Sequence, residues 1–116
     1  MKRIQDTLPT AIRRNVDFVL VSFDRQRDTP AALHAYREKQ QLGVDHWTLL
    51  RGESDDVREL AALLGVNYQQ DARGQFAHSN IITLLNGDGE IAWQQIGLNK
   101  LPDEMVRQIE KLTPAR

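Results

Sequence analysis

The sequence contains no cysteine. That absence excludes disulfides, thiolate metal ligands, thiol–disulfide exchange and a cysteine nucleophile for this polypeptide. Long hydrophobic runs are missing as well: no stretch approaches the length that crosses a bilayer. The opening residues 1–15 carry Arg3, Asp6, Arg13 and Arg14 and no apolar core of the kind a secretory signal needs. The product is therefore expected to stay in the compartment where it is made. Nor is there an excess of charge of one sign. Lys and Arg number 15 against 16 Asp and Glu, a net charge of -1, which argues against a nucleic-acid partner or a polybasic membrane contact.

What is present is an ordinary globular composition, 41% hydrophobic and 27% charged over 116 residues, the size of one domain or a piece of one. Ile4, Leu8, Ala11 and Ile12 recur at helical spacing, but Pro9 cannot sit in a helix interior, so the first helix is expected to stop near Leu8, with a turn after it. Residues 17–23 (DFVLVSF) are apolar on both faces and read as a strand covered on both sides. Thr29-Pro30 opens a helix running to about Gln40. Residues 47–50 read as extended. Ser54 is expected to cap a further helix with Val57, Leu60, Ala61 and Leu64 inward and Gly65 at its close. A polar, turn-rich stretch at 68–76 precedes a strand at 80–85, which Asn86-Gly87-Asp88-Gly89 joins to a second arm at 90–96. Pro102 opens the last helix, with Met105, Val106, Ile109 and Leu112 inward. The order gives an α/β fold in which parallel strands are followed by an antiparallel hairpin.

Chemistry has few places to reside. The three histidines fit no local metal motif. His34 reads as an exposed helical residue and His46, between Asp45 and Trp47, as a hydrogen-bonded residue at a strand entrance. His78 lies at the mouth of a strand that should be central, where α/β proteins keep ligands, although tethering the preceding loop is the plainer reading. The run Ser22 to Pro30 leaves the carboxyl end of the best strand for a helix start. There Asp24 and Asp28 can face a cationic ligand and Arg27 can orient one of them; the competing reading has Asp28 and Thr29 cap the helix while Arg27 pairs with a neighbouring acid. Asn86 to Gly89 resembles part of a calcium loop but lacks the later glutamate, so it reads as a hairpin turn.

Taken together, VSFDRQRDTP, WTLLRG, DVRELAALLGV, FAHSNIITLL and NGDGEI resemble the Sco/SenC family in order and spacing, over nearly the whole chain. The resemblance implies a thioredoxin-like domain, with helices on both faces of a mixed sheet. In that family a CxxxC motif follows the first core strand, and two thiolates with one histidine hold copper. His78 matches the histidine, and Asp24 matches an acidic residue near the site, with Arg27 and Asp28 beside it in supporting roles. Soft thiolates suit Cu(I), and an imidazole from a distant loop completes the set. Gln26 within DRQRDTP is a departure from the family pattern.

The first core strand and CxxxC have no counterpart in this sequence. The expectation is one domain over residues 1–116, incomplete at its amino-terminal side, whose complete form serves cytochrome c oxidase copper-site assembly and faces the periplasm or mitochondrial intermembrane space from a membrane anchor. Its partner is then the oxidase subunit that receives copper, and the chain by itself is inactive and not an enzyme. Loss of a central strand is further expected to make the chain self-associate through exposed strand edges. The rival from another class is a cysteine-less thioredoxin-fold interaction module. A peroxiredoxin-type enzyme is disfavoured by the same lack of thiol.

Overall fold

The computed structural model describes residues 1–66, 68–70, 72, 73, 76–78, 81–96 and 101–112, those at 68–70 and 76–78 by their backbone alone. Along the chain run α1 (Lys2–Thr7), α2 (Thr10–Arg13), β1 (Phe18–Ser22), α3 (Pro30–Lys39), β2 (Trp47–Arg51), α4 (Ser54–Leu64), β3 (Tyr68–Gln70), β4 (Phe76–His78), β5 (Ile81–Leu85), β6 (Ile91–Ile96) and α5 (Asp103–Leu112). The chain divides into two compact units, one made of Met1–Val16 with His78–Arg116, the other of Asp17–Ala77. Among the described residues the strands form three two-stranded ladders, β1–β2, β3–β4 and β5–β6.

In the first unit Pro9 sets the start. Its ring and missing N–H end α1 at Thr7, and its carbonyl then accepts from the Ile12 and Arg13 amides at 3.0 and 2.8 Å. The expected turn is thus a second short helix. Arg13 fastens the corner by donating to the carbonyls of Asp6 and Leu8 at 3.1 and 3.0 Å. Ile4, Leu8 and Ile12 are all buried, as are Met105, Val106 and Ile109 of α5, and α5 packs against α1 and β6. Leu112, expected inward, is 42% exposed because it sits in the last turn of the helix.

β5 and β6 pair antiparallel from Ile81↔Ile96, with an irregularity between Leu84 and Leu85. The turn between them is built by Asn86, whose Oδ1 accepts from the amides of Asp88 and Glu90, both at 2.9 Å. Gly89 supplies the positive φ of 82° that closes it. The hairpin expected from NGDG is therefore present.

In the second unit β1 and β2 run parallel, from Phe18↔Trp47 to Ser22↔Arg51. The Phe18 and Trp47 rings stack at 4.5 Å, 14° apart in plane, and both are buried. Thr29 caps α3 by accepting from the Ala32 amide at 3.2 Å, with Pro30 opening the helix. Arg37 then fastens the α3–β2 connection, donating to the carbonyls of Leu42, Gly43 and Trp47 at 3.4, 3.2 and 2.9 Å.

Three expectations are corrected here. Glu53, not Ser54, occupies the N-cap position of α4, with no side-chain cap bond. Of the α4 stripe only Val57 is buried; Leu60 is 38% exposed and Ala61 and Leu64 are intermediate. The helix still ends on Gly65 in the left-handed region, φ 73°. Finally β1 is covered on one face only. Phe18 is buried, whereas Val19 and Val21 on the opposite face are 52% and 37% exposed. A strand's alternation fixes which residues share a face, not whether a neighbour covers it.

Candidate functional site

Because β1 and β2 are parallel, their carboxyl ends lie along one edge, the place where α/β folds assemble ligand sites. The loops leaving them are cross-linked there. Arg51, the last residue of β2, donates from its guanidinium to the Arg25 carbonyl at 2.9 Å, and Arg25 forms an ion pair with Glu53. The hydrogen bond from Arg25, reinforced by its charge, holds the Glu53 carboxyl below the ordinary range; the same bond raises Arg25. Both groups are solvated, so the pair orders the two loops more than it stabilises the fold.

Ser22 organises the β1–α3 loop from within. Its hydroxyl accepts from the Asp24 amide at 3.0 Å and donates to Asp28 Oδ2 at 2.5 Å, while the Asp28 amide donates to the Asp24 carbonyl at 2.8 Å. Asp24 in turn accepts from the Arg27 amide and from Arg27 Nη1, each at 3.3 Å. The Asp24 side chain is 18% exposed against 57% for Arg27. Arg27 therefore meets the carboxylate through one nitrogen rather than as a bidentate fork. Asp28 bonds Ser22 and leaves the α3 cap to Thr29. Asp24, Arg27 and Asp28 are thus brought together, with Asp24 fixed on its backbone side and reached from solvent through Arg27.

The histidines lie elsewhere. His34 meets Glu38 one helical turn on, at 3.1 Å and well exposed. His46 Nδ1 is 3.1 Å from Asp17 Oδ1, and the His46 carbonyl accepts from the Phe18 amide at 2.7 Å, so this residue sets the start of the parallel ladder. His78 ends β4, and its side chain lies outside the described residues, as do Ser79 and Asn80. Among the described residues no three His, Asp or Glu side chains converge as a metal site. The Arg51–Arg25–Glu53 link escaped the sequence reading. Its one local signal is that charged residues, Arg25 after β1 and Arg51 and Glu53 at the end of β2, lie within three residues of the carboxyl ends of two parallel strands.

No curated protein sequence matches the chain. Solved structures do. The chain is similar to a SCO1/SenC family lipoprotein from Bacillus anthracis at 20% identity and TM-score 0.75, covering 96% of this chain and 71% of that one. It is similar to ScoI of Arabidopsis thaliana, solved with copper bound, at 21% identity and TM-score 0.70, covering 95% and 73%. ScoI of Bradyrhizobium japonicum, also with copper bound, matches at 20% identity and TM-score 0.69, covering 95% and 69%. At these identities the structures establish the fold, a thioredoxin-like mixed α/β arrangement with a parallel β1–β2 pair and an antiparallel hairpin. The SCO1/SenC family model matches residues 1–114, and the chain belongs to that family.

Proposed function

We propose that this chain is the structural body of a copper-delivery protein serving the copper site of cytochrome c oxidase. The observation that carries the reading is the family match over residues 1–114 in a sequence with no cysteine. His78 is its one ligand for copper, with Asp24, Arg27 and Asp28 as the supporting loop, and the soft thiolates that Cu(I) favours must come from outside this sequence. The oxidase subunit that receives copper is the partner, met on the periplasmic or intermembrane-space side of a membrane. Membership of one domain, incomplete on the side that carries the thiolates, completes the proposal.

A test is Cu(I) titration of the chain against a strong competing chelator. The expected outcome is retention no better than that of a generic surface imidazole. Stoichiometric retention that vanishes in His78→Ala would mean that the chain holds a more complete site than one histidine. A second reading, a cysteine-less interaction module, is favoured by the open face of β1. Affinity for a protein partner in the absence of copper separates the two.

A further inference from the structure

The turn that joins β5 to β6 contains Asn86-Gly87, and of the five asparagines in the sequence Asn86 is the one followed by glycine. That neighbour matters chemically. A glycine nitrogen carries no adjacent Cβ to hinder it, and once deprotonated it can attack the side-chain carbon of the asparagine before it. The N–Cγ bond forms, the Cγ–Nδ2 bond breaks and ammonia leaves, giving a cyclic succinimide. Water then opens the ring at either carbonyl, to aspartate or to isoaspartate, with no change of oxidation state. Gly87 is exposed and Asn86 half-buried, so solvent base and water reach both. The attack needs the Asn86 amide to turn its face to the Gly87 nitrogen, and in the folded turn that amide is held at both polar atoms. Oδ1 accepts from the Asp88 and Glu90 amides, both at 2.9 Å, and Nδ2 donates to Glu90 Oε1 at 3.1 Å. The main chain is held as well, the Asn86 amide donating to the Glu90 carbonyl at 2.9 Å and the Gly89 amide to the Asn86 carbonyl at 3.0 Å.

We propose that Asn86 is a deamidation site that the closed β5–β6 turn protects, and whose modification weakens the turn that protected it. The side-chain bonds to Asp88 and Glu90 must break before the amide can turn, so reaction proceeds through a local opening of the hairpin. Both products lose the Nδ2 donor and set a new carboxylate against that of Glu90, where like charges repel. Isoaspartate, the major product of succinimide opening, also adds one carbon to the main chain. That carbon falls between the Leu85↔Ile91 pair and the Asn86–Glu90 backbone bond, so the two can no longer close in the same register. Each modification therefore leaves the turn easier to open than before. The proposal goes beyond the copper reading and needs no metal, so the two fail separately.

The test incubates the full chain in mildly alkaline buffer, folded and in urea, and follows position 86 by peptide mass mapping and isoaspartate-specific methylation. Modification is expected to be fastest at Asn86, and about tenfold or more faster in urea than in the folded chain. Glu90→Ala removes the acceptor of Nδ2 and is expected to speed the folded-state reaction severalfold while leaving the rate in urea unchanged. Gly87→Ala is expected to slow the reaction in urea about tenfold, and it is compatible with the fold because a Cβ at Gly87 meets nothing within 4 Å. The modified chain, separated by its extra negative charge, is expected to show a lower Tm than the parent. Equal rates in the folded chain and in urea, a folded-state rate indifferent to Glu90→Ala, faster modification at another asparagine, or a modified chain that melts with the parent overturns the proposal.

Discussion

At the scale of single residues, the chain invests its charge in ordering loops. Arg25 bonds Glu53 across two loops that start from neighbouring strands, and Arg51 reaches back to the Arg25 carbonyl. Glu53 is held below its ordinary value mainly by the bond from Arg25. A carboxyl depressed on folding contributes stability above its unfolded pKa and loses it as pH falls through the folded value. The Glu53 contribution is therefore present at neutral pH and lost in acid. In Arg25→Gln the Glu53 carboxyl should titrate at higher pH than in the parent chain, toward the ordinary glutamate range. Side-chain NMR followed across the acid range reads this directly. An unchanged Glu53 titration would show that Arg25 does not bond it in solution.

At the scale of elements, termini are fixed by local chemistry and faces by what happens to cover them. Thr29 is the one side chain that caps α3, through its bond to the Ala32 amide. Thr29→Ala should cost about 1 kcal/mol and Thr29→Asn much less. Urea unfolding of the two variants checks this, and equal losses would assign the effect to packing rather than to the cap. The same division explains what was legible in the sequence. Pro9, Thr29-Pro30, Gly65 and Asn86 to Gly89 each act within a few residues, and the structure keeps the boundaries they mark. So does the Asp24–Arg27 pair, whose partners are three residues apart. The α4 stripe and the second face of β1 were misread as covered, because periodicity reports that a face is apolar and not that something lies over it. The three-residue strands β3 and β4 were missed, since a run as polar as Tyr-Gln-Gln offers no alternation to detect. In the candidate site the charged loop was visible and its clasp was not, because Arg51 and Arg25 are 26 residues apart in sequence.

At the scale of the whole molecule, the balance of charge decides how copies of the chain meet. The net charge of -1 at pH 7 and an isoelectric point near 6.3 leave little repulsion to keep copies apart. Exposed apolar side chains remain in both units, Val19 and Leu50 in one, Ile91 and Ile96 in the other. With attraction of that kind fixed by the sequence, the variable term is electrostatic, and it moves with pH in a known direction. Raising pH above the isoelectric point removes protons from imidazole and amine groups, makes every copy more negative, and strengthens repulsion between copies. Association should therefore be greatest close to pH 6.3 and fall as pH is raised well above it. The fall should be shallower in high salt, where the repulsion is screened. Light scattering of one concentration across that range, at low and at high ionic strength, measures both trends. A scattering profile indifferent to pH and salt would mean that apolar contact alone sets the association. A minimum in place of the maximum near pH 6.3 would mean that net charge does not set the association.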